Sequence, residues 1–161
     1  MPTEIERKFL LNGDAWRALA TSRTPMSQGY VAGSDRTSVR VRIAGAEAAL
    51  NIKSGGIAAA RAEYEYSIPL DHARELLALC AGPLVAKTRH VVPFGGFEWE
   101  IDVFEGANLG LVVAEIELDH EGQDFPLPAW VGPEVTHLVR YYNVNLVRHP
   151  YSAWTETERR P

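Results

Sequence analysis

Cysteine is nearly absent from this chain, because Cys80 is the only one among 161 residues. A disulfide needs two cysteines and a thiolate metal site needs several, so the sequence excludes both within the chain. Cys80 follows a run of apolar residues, and we expect it in the core. The N-terminus carries Glu4 and Glu6 where a secretory signal has an apolar segment. These features predict a cytoplasmic protein.

Long apolar runs and an excess of positive charge are also missing. No stretch approaches the roughly 20 apolar residues that span a bilayer, which predicts that the chain has no membrane partner. The formal net charge of -5 argues against a general nucleic-acid binder, whose surface is normally basic. The 5 histidines are scattered, with no pair at the helical spacing of a zinc site. An anionic ligand must therefore meet a local cluster of basic side chains.

Two common catalytic motifs are absent as well. The chain has no Gly-x-x-x-x-Gly-Lys loop, which excludes the usual P-loop mode of nucleotide binding. It also has no Gly-x-Ser-x-Gly turn, and Cys80 is expected to be buried. Catalysis by a serine or cysteine nucleophile therefore has little support.

What the sequence does contain is an alternation of apolar and polar residues with a period of two. This period is typical of β-strands, and the short glycine-containing breaks between segments predict antiparallel pairing. The eight predicted strands cover residues 4–10, 26–31, 38–43, 48–53, 61–68, 85–91, 97–104 and 111–118.

Helices are predicted at three places around these strands. A helix capped by Asp71 would end at Gly82-Pro83, a shorter one would cover residues 14–20, and a last one would begin at Glu134. We find no repeat and no linker, so we expect one domain over residues 1–161, with a polar and loosely ordered tail at 150–161. The apolar faces of the first and last helices would carry Ala73, Leu76, Leu77 and Cys80, and Val135, Leu138 and Val139, respectively.

Charged residues recur at every second position on most of the predicted strands. Alternation places them on one face of the sheet, while the opposite face is apolar and should pack against helices. The charged face carries Glu4, Glu6, Lys8, Arg40, Arg42, Lys53, Arg61, Glu63, Glu65, Lys87, Arg89, Glu98, Glu100, Asp102, Glu115 and Glu117.

Two interpretations of this charged face remain open from the pattern alone. It can be the solvated side of an open antiparallel sheet, which is common. Alternatively, it can line a closed barrel, where like charges about 7 Å apart would repel by about 2.4 kcal/mol at an effective dielectric constant of 20 and would need counter-ions. Paired carboxylates suit Mg²⁺ or Mn²⁺, and paired cations suit phosphate oxygens. The second interpretation therefore indicates metal-assisted phosphoryl transfer.

A family resemblance favours the barrel. The opening Glu4-Ile5-Glu6-Arg7-Lys8 resembles the Glu-x-Glu-x-Lys signature of the CYTH, or triphosphate tunnel metalloenzyme, family. Further segments follow in the family's order, so that the resemblance reaches about residue 146. They are Gln28-Gly29-Tyr30, Arg40-Val41-Arg42, Lys53, Arg61-Ala62-Glu63-Tyr64-Glu65, Lys87-Thr88-Arg89, Glu100-Ile101-Asp102, Glu115-Ile116-Glu117 and Arg140-Tyr141-Tyr142-Asn143.

The resemblance implies an α+β, mainly β fold: an eight-stranded antiparallel β-barrel with a few flanking helices. It also implies roles for individual residues, with Mg²⁺ or Mn²⁺ as the cofactor. Catalytic roles fall to Glu4, Glu6, Lys8, Lys87 and Glu117. Phosphate binding falls to Lys8, Arg40, Arg42, Lys53, Arg61, Lys87, Arg89 and Arg140. Metal binding falls to Glu4, Glu6, Glu63, Glu65, Glu100, Asp102, Glu115 and Glu117.

The implied function is hydrolysis of inorganic tripolyphosphate to pyrophosphate and phosphate, because the chain resembles the short bacterial inorganic triphosphatases. One departure from the family pattern is that Leu138 and Val139 precede Arg140, where Asp-Lys is usual. Alternatives are a nucleotide-directed enzyme of the same family (class IV adenylyl cyclase, nucleoside or thiamine triphosphatase) and a non-catalytic polyphosphate-binding module. The expected partner is a small triphosphate, and a homodimer is one option for the oligomeric state.

Overall fold

The computed structural model describes residues 2–55 and 59–161, which form nine β-strands and two α-helices. The strands are β1 (Thr3–Leu11), β2 (Ser22–Gly33), β3 (Thr37–Ala44), β4 (Glu47–Ser54), β5 (Ala60–Ser67), β6 (Val85–Phe94), β7 (Phe97–Phe104), β8 (Val112–Glu117) and β9 (Val131–Glu134). The helices are α1 (Leu70–Ala78) and α2 (Asn143–Arg148), and short 3-10 helices lie at Ala15–Leu19, Gly106–Asn108, Val139–Tyr141 and Tyr151–Ala153. Among these residues no helix has the length and apolar character needed to cross a membrane.

Eight of the strands close into an antiparallel barrel. The order β5-β4-β3-β2-β6-β7-β8-β1 is completed by pairing of β1 with β5, where Glu4 lies opposite Arg61. On its other side β1 pairs with β8, which sets Glu6 opposite Glu117 and Lys8 opposite Glu115. The ninth strand, β9, pairs with β1 outside the barrel. The predicted eight-stranded antiparallel barrel is thus confirmed, and a barrel of this size can enclose one small ligand.

The apolar faces of the strands point outward and form two layers on the barrel. Helix α1 covers β3 and β4 through Ala73 and Leu77, which pack with Val41. On β7 and β8 the cover is aromatic, because Trp99 packs with Trp16 and Trp130. The outer face of β5 has less cover: Tyr64 and Tyr66 are exposed. The apolar outer face therefore packs against helices only in part.

One end of the barrel is filled by an apolar plug. Val85, Phe104 and Val113 continue the strand faces that carry Lys87, Asp102 and Glu115, but they pack with Tyr141, Leu146 and Trp154. Leu146 belongs to α2, so this short helix closes the barrel at the plug. At the other end of β7 and β8, Glu98 and Glu117 are exposed to solvent. We call this solvent-exposed end the mouth.

The segment after residue 130 differs from the prediction. No helix begins at Glu134, because residues 131–134 extend the sheet as β9 and the Val135 N–H donates to the Lys8 carbonyl. The helix forms later, as α2. A four-residue strand is too short to show a period of two, which is why β9 was missed.

The other helices and the tail bring smaller corrections. Helix α1 has Pro69 at its N-cap and no capping side chain, so the predicted cap at Asp71 is wrong. Residues 15–19 form a 3-10 helix within the predicted segment. The tail is not loosely ordered: Trp154 is buried against Tyr141, and its indole N–H donates to the His149 carbonyl at 2.9 Å. Tyr151 and Trp154 thus hold a segment in which most residues are polar.

Candidate active site

A cavity of about 200 Å³ occupies the inside of the barrel. Its walls are mostly charged, because the inward positions of the strands carry the acidic and basic residues described above. The lining residues are Glu4, Glu6, Lys8, Tyr30, Ser38, Arg40, Arg42, Lys53, Arg61, Glu63, Glu65, Arg89, Glu100, Glu115, Glu117, Tyr142, Asn143 and Val144.

Lys8 lies at the centre of one buried ion-pair cluster. Its Nζ is 2.6 Å from Glu115 Oε1 and 3.1 Å from Glu6 Oε1. Burial by itself lowers the pKa of Lys8, but the two carboxylates outweigh burial and the pKa is raised. Lys8 in turn helps to hold the pKa of Glu115 well below its usual value, although burial acts in the opposite direction. Both groups are therefore charged at neutral pH.

Lys53 and Arg61 hold the remaining acidic residues of β1. Lys53 Nζ donates to Glu4 Oε2 at 2.7 Å, and one Arg61 nitrogen donates to Glu6 Oε1 at 3.0 Å. The same Arg61 nitrogen is 3.4 Å from Glu4 Oε2. The basic side chains thus neutralise the carboxylates of the Glu4-Ile5-Glu6 motif.

A second cluster surrounds Asp102, behind the cavity wall. Lys87 Nζ donates to Asp102 Oδ2 at 2.7 Å, and Arg89 donates to both carboxylate oxygens, each at 2.8 Å. Arg89 also pairs with Glu100 and, at 3.5 Å, with Glu115. Burial lowers the pKa of Lys87 to about 8, since Asp102 offsets the cost of burial only in part.

The lowered pKa of Lys87 predicts a pH dependence of stability. Between pH 8 and its usual pKa of 10.5, Lys87 has lost its proton in the folded protein and keeps it in the unfolded chain. The unfolded state then binds more protons, so Lys87 makes the free energy of unfolding rise with pH in this window. Urea unfolding between pH 8 and 9.5 should show that the Lys87→Met variant lacks this contribution. An identical pH slope in both proteins would contradict the assignment.

Glu117 is a carboxylate with other carboxylates around it. Burial raises the pKa of Glu117, and Glu4, Glu100, Glu63 and Glu6 raise it further. Among the residues that the structure describes, Glu117 joins no ion pair. A divalent cation would relieve this mutual repulsion of carboxylates.

The donor set fits a hard divalent cation in its chemistry. Carboxylate oxygens are the ligands that Mg²⁺ and Mn²⁺ prefer, and the cavity wall supplies Glu4, Glu6 and Glu117 among others. Yet within residues 2–55 and 59–161 no three acidic or histidine side chains already form a metal-ligating group. The reason is visible in the ion pairs, because Lys53, Arg61 and Lys8 hold the oxygens of Glu4 and Glu6. A metal can bind these oxygens of Glu4 and Glu6 only when the cations move to other oxygens, which a polyphosphate would offer.

Arg40 is the basic residue best placed to receive an anion. It is buried, with 7% of its surface exposed, and its Nε lacks a hydrogen-bond partner. In the described part of the chain it joins no ion pair. Tyr30 lies opposite it on β2; burial raises the pKa of Tyr30 while Arg40 opposes this. The ion pair of Arg42 with Glu65 is long, with 3.7 Å between Nη2 and Oε2. Burial, together with the charges of Arg40 and Arg89, lowers the pKa of Arg42.

The structure brings together thirteen of the sixteen residues that the sequence assigned to the site, all of them in the cavity lining. Lys87 and Asp102 lie just behind the wall, as a pair that contacts Arg89 and Asn143. Arg140 lies elsewhere, at the C-terminal segment. The sequence assigned no role to the lining residues Tyr30, Ser38, Tyr142, Asn143 and Val144. Tyr30 follows the inward alternation of β2. Tyr142, Asn143 and Val144 instead lie at the start of α2, and a period-two strand pattern does not predict which residues of a helix line the cavity.

Arg140 binds the backbone of the C-terminal segment. Its Nε donates to the Glu158 carbonyl at 2.6 Å and its Nη2 donates to the Arg160 carbonyl at 3.1 Å. Its guanidinium also lies over the rings of Tyr141 and Trp154. These contacts occupy the side chain outside the cavity, so the structure gives no support to Arg140 as a phosphate ligand.

Arg140→Met should therefore lower stability and leave substrate binding nearly unchanged. We expect a loss of about 1–2 kcal/mol in the free energy of unfolding, because two hydrogen bonds disappear and solvent exposure limits each of them to roughly 0.5–1 kcal/mol. The KM for tripolyphosphate should change less than about threefold, since no charge leaves the cavity. Urea unfolding and steady-state kinetics measure the two quantities. A KM raised about 100-fold would return Arg140 to the phosphate-binding set.

Comparisons with known proteins agree with this geometry. The CYTH domain model matches residues 2–151. An inorganic triphosphatase from Acetivibrio thermocellus is 45% identical over 157 residues, which cover 97% of this chain and 100% of that protein. The crystal structure of the inorganic triphosphatase NE1496 superposes with a TM-score of 0.63 at 34% identity and covers 91% of this chain and 95% of that one. The PH1012 protein from Pyrococcus horikoshii OT3, at 18% identity and a TM-score of 0.58 over 74% of this chain and 80% of that one, shares the fold.

Proposed function

The chain belongs to the CYTH domain family, and from this premise we propose that it is a divalent-metal-dependent enzyme that hydrolyses inorganic triphosphate to pyrophosphate and phosphate. The observation that carries the proposal is the cavity, where acidic and basic side chains share one enclosed space. The relatives at 45% and 34% identity are both inorganic triphosphatases. The substrate is a small molecule, and a single cysteine fits a cytoplasmic site of action.

The basic residues would bind the phosphate oxygens. Arg40 and Arg42 offer the cationic groups that are least neutralised by carboxylates, and Lys8, Lys53 and Arg61 add three more. A triphosphate in the cavity would offer its oxygens to Lys53 and Arg61 in place of the carboxylates of Glu4 and Glu6. The freed carboxylates then become available to the metal. Binding thus replaces ion pairs inside the protein with ion pairs to the substrate, which limits the net cost of desolvation.

Carboxylates on the same wall would hold Mg²⁺ or Mn²⁺. We assign Glu4, Glu6 and Glu117 as its principal ligands, with Glu63, Glu65, Glu100 and Glu115 as the further acidic groups of the lining. When bound, the ion supplies Lewis-acid polarisation of a phosphoryl oxygen and lowers the pKa of a bound water.

The chain's own residues supply orientation and charge. Lys8, Arg40 and Arg61 lie where they can stabilise negative charge on the phosphoryl oxygens as the terminal P–O bond breaks. A carboxylate oxygen of Glu117 that does not bind the ion can accept the proton of the attacking water, because no cation of the described residues pairs with this carboxylate. The enclosed walls exclude bulk solvent, which strengthens each of these interactions.

The cavity favours an inorganic substrate over a nucleotide. Tyr30 and Tyr142 are the aromatic rings of its lining, and both lie among cations. Lys8 Nζ lies 4.8 Å from the centre of the Tyr142 ring, and the Arg61 guanidinium lies 5.2 Å from it. A base could stack where these cations lie only by displacing them from the ring.

The test is phosphate release from tripolyphosphate, pyrophosphate, ATP and thiamine triphosphate, each with Mg²⁺, Mn²⁺ or EDTA. We expect metal-dependent release that is fastest on tripolyphosphate and yields one pyrophosphate per phosphate. Faster release from ATP or thiamine triphosphate, or formation of cyclic AMP, would overturn the substrate assignment. Tight binding of tripolyphosphate without turnover would make the chain a binding module.

A further inference from the structure

Asn51 is an uncharged residue buried between two carboxylates of the site. It lies on β4 opposite Glu65, and its side chain is completely inaccessible to solvent. Its Nδ2 donates to Glu65 Oε2 at 2.7 Å and to Glu63 Oε1 at 3.1 Å. One amide group thus joins both acidic residues of β5, and one oxygen of each carboxylate stays free of that amide.

The amide is the nearest polar partner of each carboxylate in the described residues. Lys53 Nζ is 3.7 Å from Glu63 Oε1, and an Arg42 nitrogen is 3.7 Å from Glu65 Oε2, both longer than the contacts to Asn51. Glu63 and Glu65 are two residues apart on one strand face, so their charges repel each other. Two N–H donors from a neutral group hold them in place without cancelling their charge.

The other end of the same amide lacks such a partner. Asn51 Oδ1 is buried and has no hydrogen-bond partner. Leaving a buried carbonyl without a partner is energetically unfavourable. The side chain is therefore held by its two donor contacts, because its acceptor contributes nothing to the orientation.

We propose that Asn51 is a positioning residue that presets Glu63 and Glu65 as a pair for a divalent cation. The amide takes one oxygen of each glutamate and leaves Glu63 Oε2 and Glu65 Oε1 for the metal. This inference rests on the proposed function, since it assigns a role in metal binding to that same cavity. Residues that hold metal ligands are commonly worth about 10–100-fold in metal affinity.

The experiment measures Mn²⁺ binding to the whole protein without substrate, by electron paramagnetic resonance and titration calorimetry. Asn51→Leu keeps the approximate size and removes both donors, so it should raise the Kd for Mn²⁺ at least about 10-fold. Asn51→Thr keeps one donor, so its Kd for Mn²⁺ should lie between those of the original protein and Asn51→Leu. Gln28→Met is the matched control, because Gln28 is also a fully buried amide inside the barrel but its side chain forms no hydrogen bond with the described residues. Its Kd should stay within about twofold of the original.

A coupling measurement separates positioning from a general loss of structure. In a Glu63→Gln/Glu65→Gln background the same Asn51→Leu change should leave Mn²⁺ affinity nearly unaltered, because the groups it acts through are gone. Circular dichroism checks the fold, and Asn51→Thr carries the test if Asn51→Leu does not fold. Equal Mn²⁺ affinity in the original protein and the Asn51 variants would overturn the inference. If the original protein binds Mn²⁺ but hydrolyses no triphosphate, the proposed function fails while the role of Asn51 is still decided by the Kd values.

Discussion

Glu6→Gln is expected to slow the hydrolysis of tripolyphosphate by more than about 100-fold while the protein stays folded. Even groups that only support metal ligands are worth about 10–100-fold, and Glu6 is assigned as a ligand itself. The fold should survive because glutamine keeps the shape and can still accept a hydrogen bond from Arg61. The two cations around Glu6 also keep other partners, since Lys8 pairs with Glu115 and Arg61 contacts Glu4.

Glu98→Gln provides the matched control for this prediction. Glu98 lies on the same face of β7 as Glu100, but it is exposed and does not line the cavity. The same change of charge there should alter the rate less than about twofold, because surface charges in water interact weakly. Phosphate release at saturating Mg²⁺, together with a thermal melt, measures both variants. Full activity of Glu6→Gln would remove Glu6 from the site.

Arg40→Met is expected to raise the KM for tripolyphosphate about 100-fold without loss of stability. Hydrogen bonds from a charged donor contribute about 1.5–3 kcal/mol each, and about 2.8 kcal/mol corresponds to 100-fold. In the free protein the buried Arg40 joins no ion pair with a described residue, and its Nε is unpartnered. Replacing it with an apolar side chain removes a buried charge that no carboxylate of the described residues pairs with, so the free energy of unfolding should stay equal or increase.

Arg89→Met is the informative comparison, because Arg89 also lines the cavity but is fully paired. Its guanidinium contacts Glu100, Asp102 and Glu115. Removing one partner of a buried ion pair costs about 3–5 kcal/mol, so this variant should unfold at a much lower urea concentration. Urea unfolding and steady-state kinetics of both variants give the comparison. Equal losses of stability would show that Arg40 is as well paired in solution as Arg89.

The barrel itself could be predicted because most of its strands carry a strong period of two. On β7, Glu98, Glu100 and Asp102 alternate with Trp99 and Ile101, and the structure places the two groups on opposite faces. Closure could not be read from the periodicity, since an open sheet with a wet face has the same pattern. The pairing of Glu4 with Arg61 across β1 and β5 decides it. The prediction for the end of the chain was wrong because tertiary contacts determine the structure there. Strand β9 pairs with β1, and the buried Trp154 holds the tail in place.

Residues of the candidate site could be predicted from the sequence where they are charged and lie on the inward face of a strand. They could not be predicted where side-chain packing determines their position. Residues such as Glu6 and Lys8 stand out because a charge at an inward position needs a partner. Arg140 looks equally basic in the sequence, yet its guanidinium binds backbone carbonyls of the C-terminal segment. Asn51 has the opposite character: it is neutral and gives no signal, although its amide joins two carboxylates. Which oxygen a side chain contacts depends on strand register, and the register follows from the closed barrel.

The apolar plug has a consequence for traffic through the barrel. With Phe104, Val113 and Leu146 filling one end, triphosphate must arrive, and both products must depart, through the mouth beside Glu117. Pyrophosphate retains most of the phosphate oxygens that the basic residues hold, so it should dwell longest and compete with the next substrate. A long polyphosphate chain cannot thread through a barrel that is closed at one end, so only its terminal phosphates can enter the cavity. Product release, and not cleavage of the P–O bond, would then limit the rate of turnover.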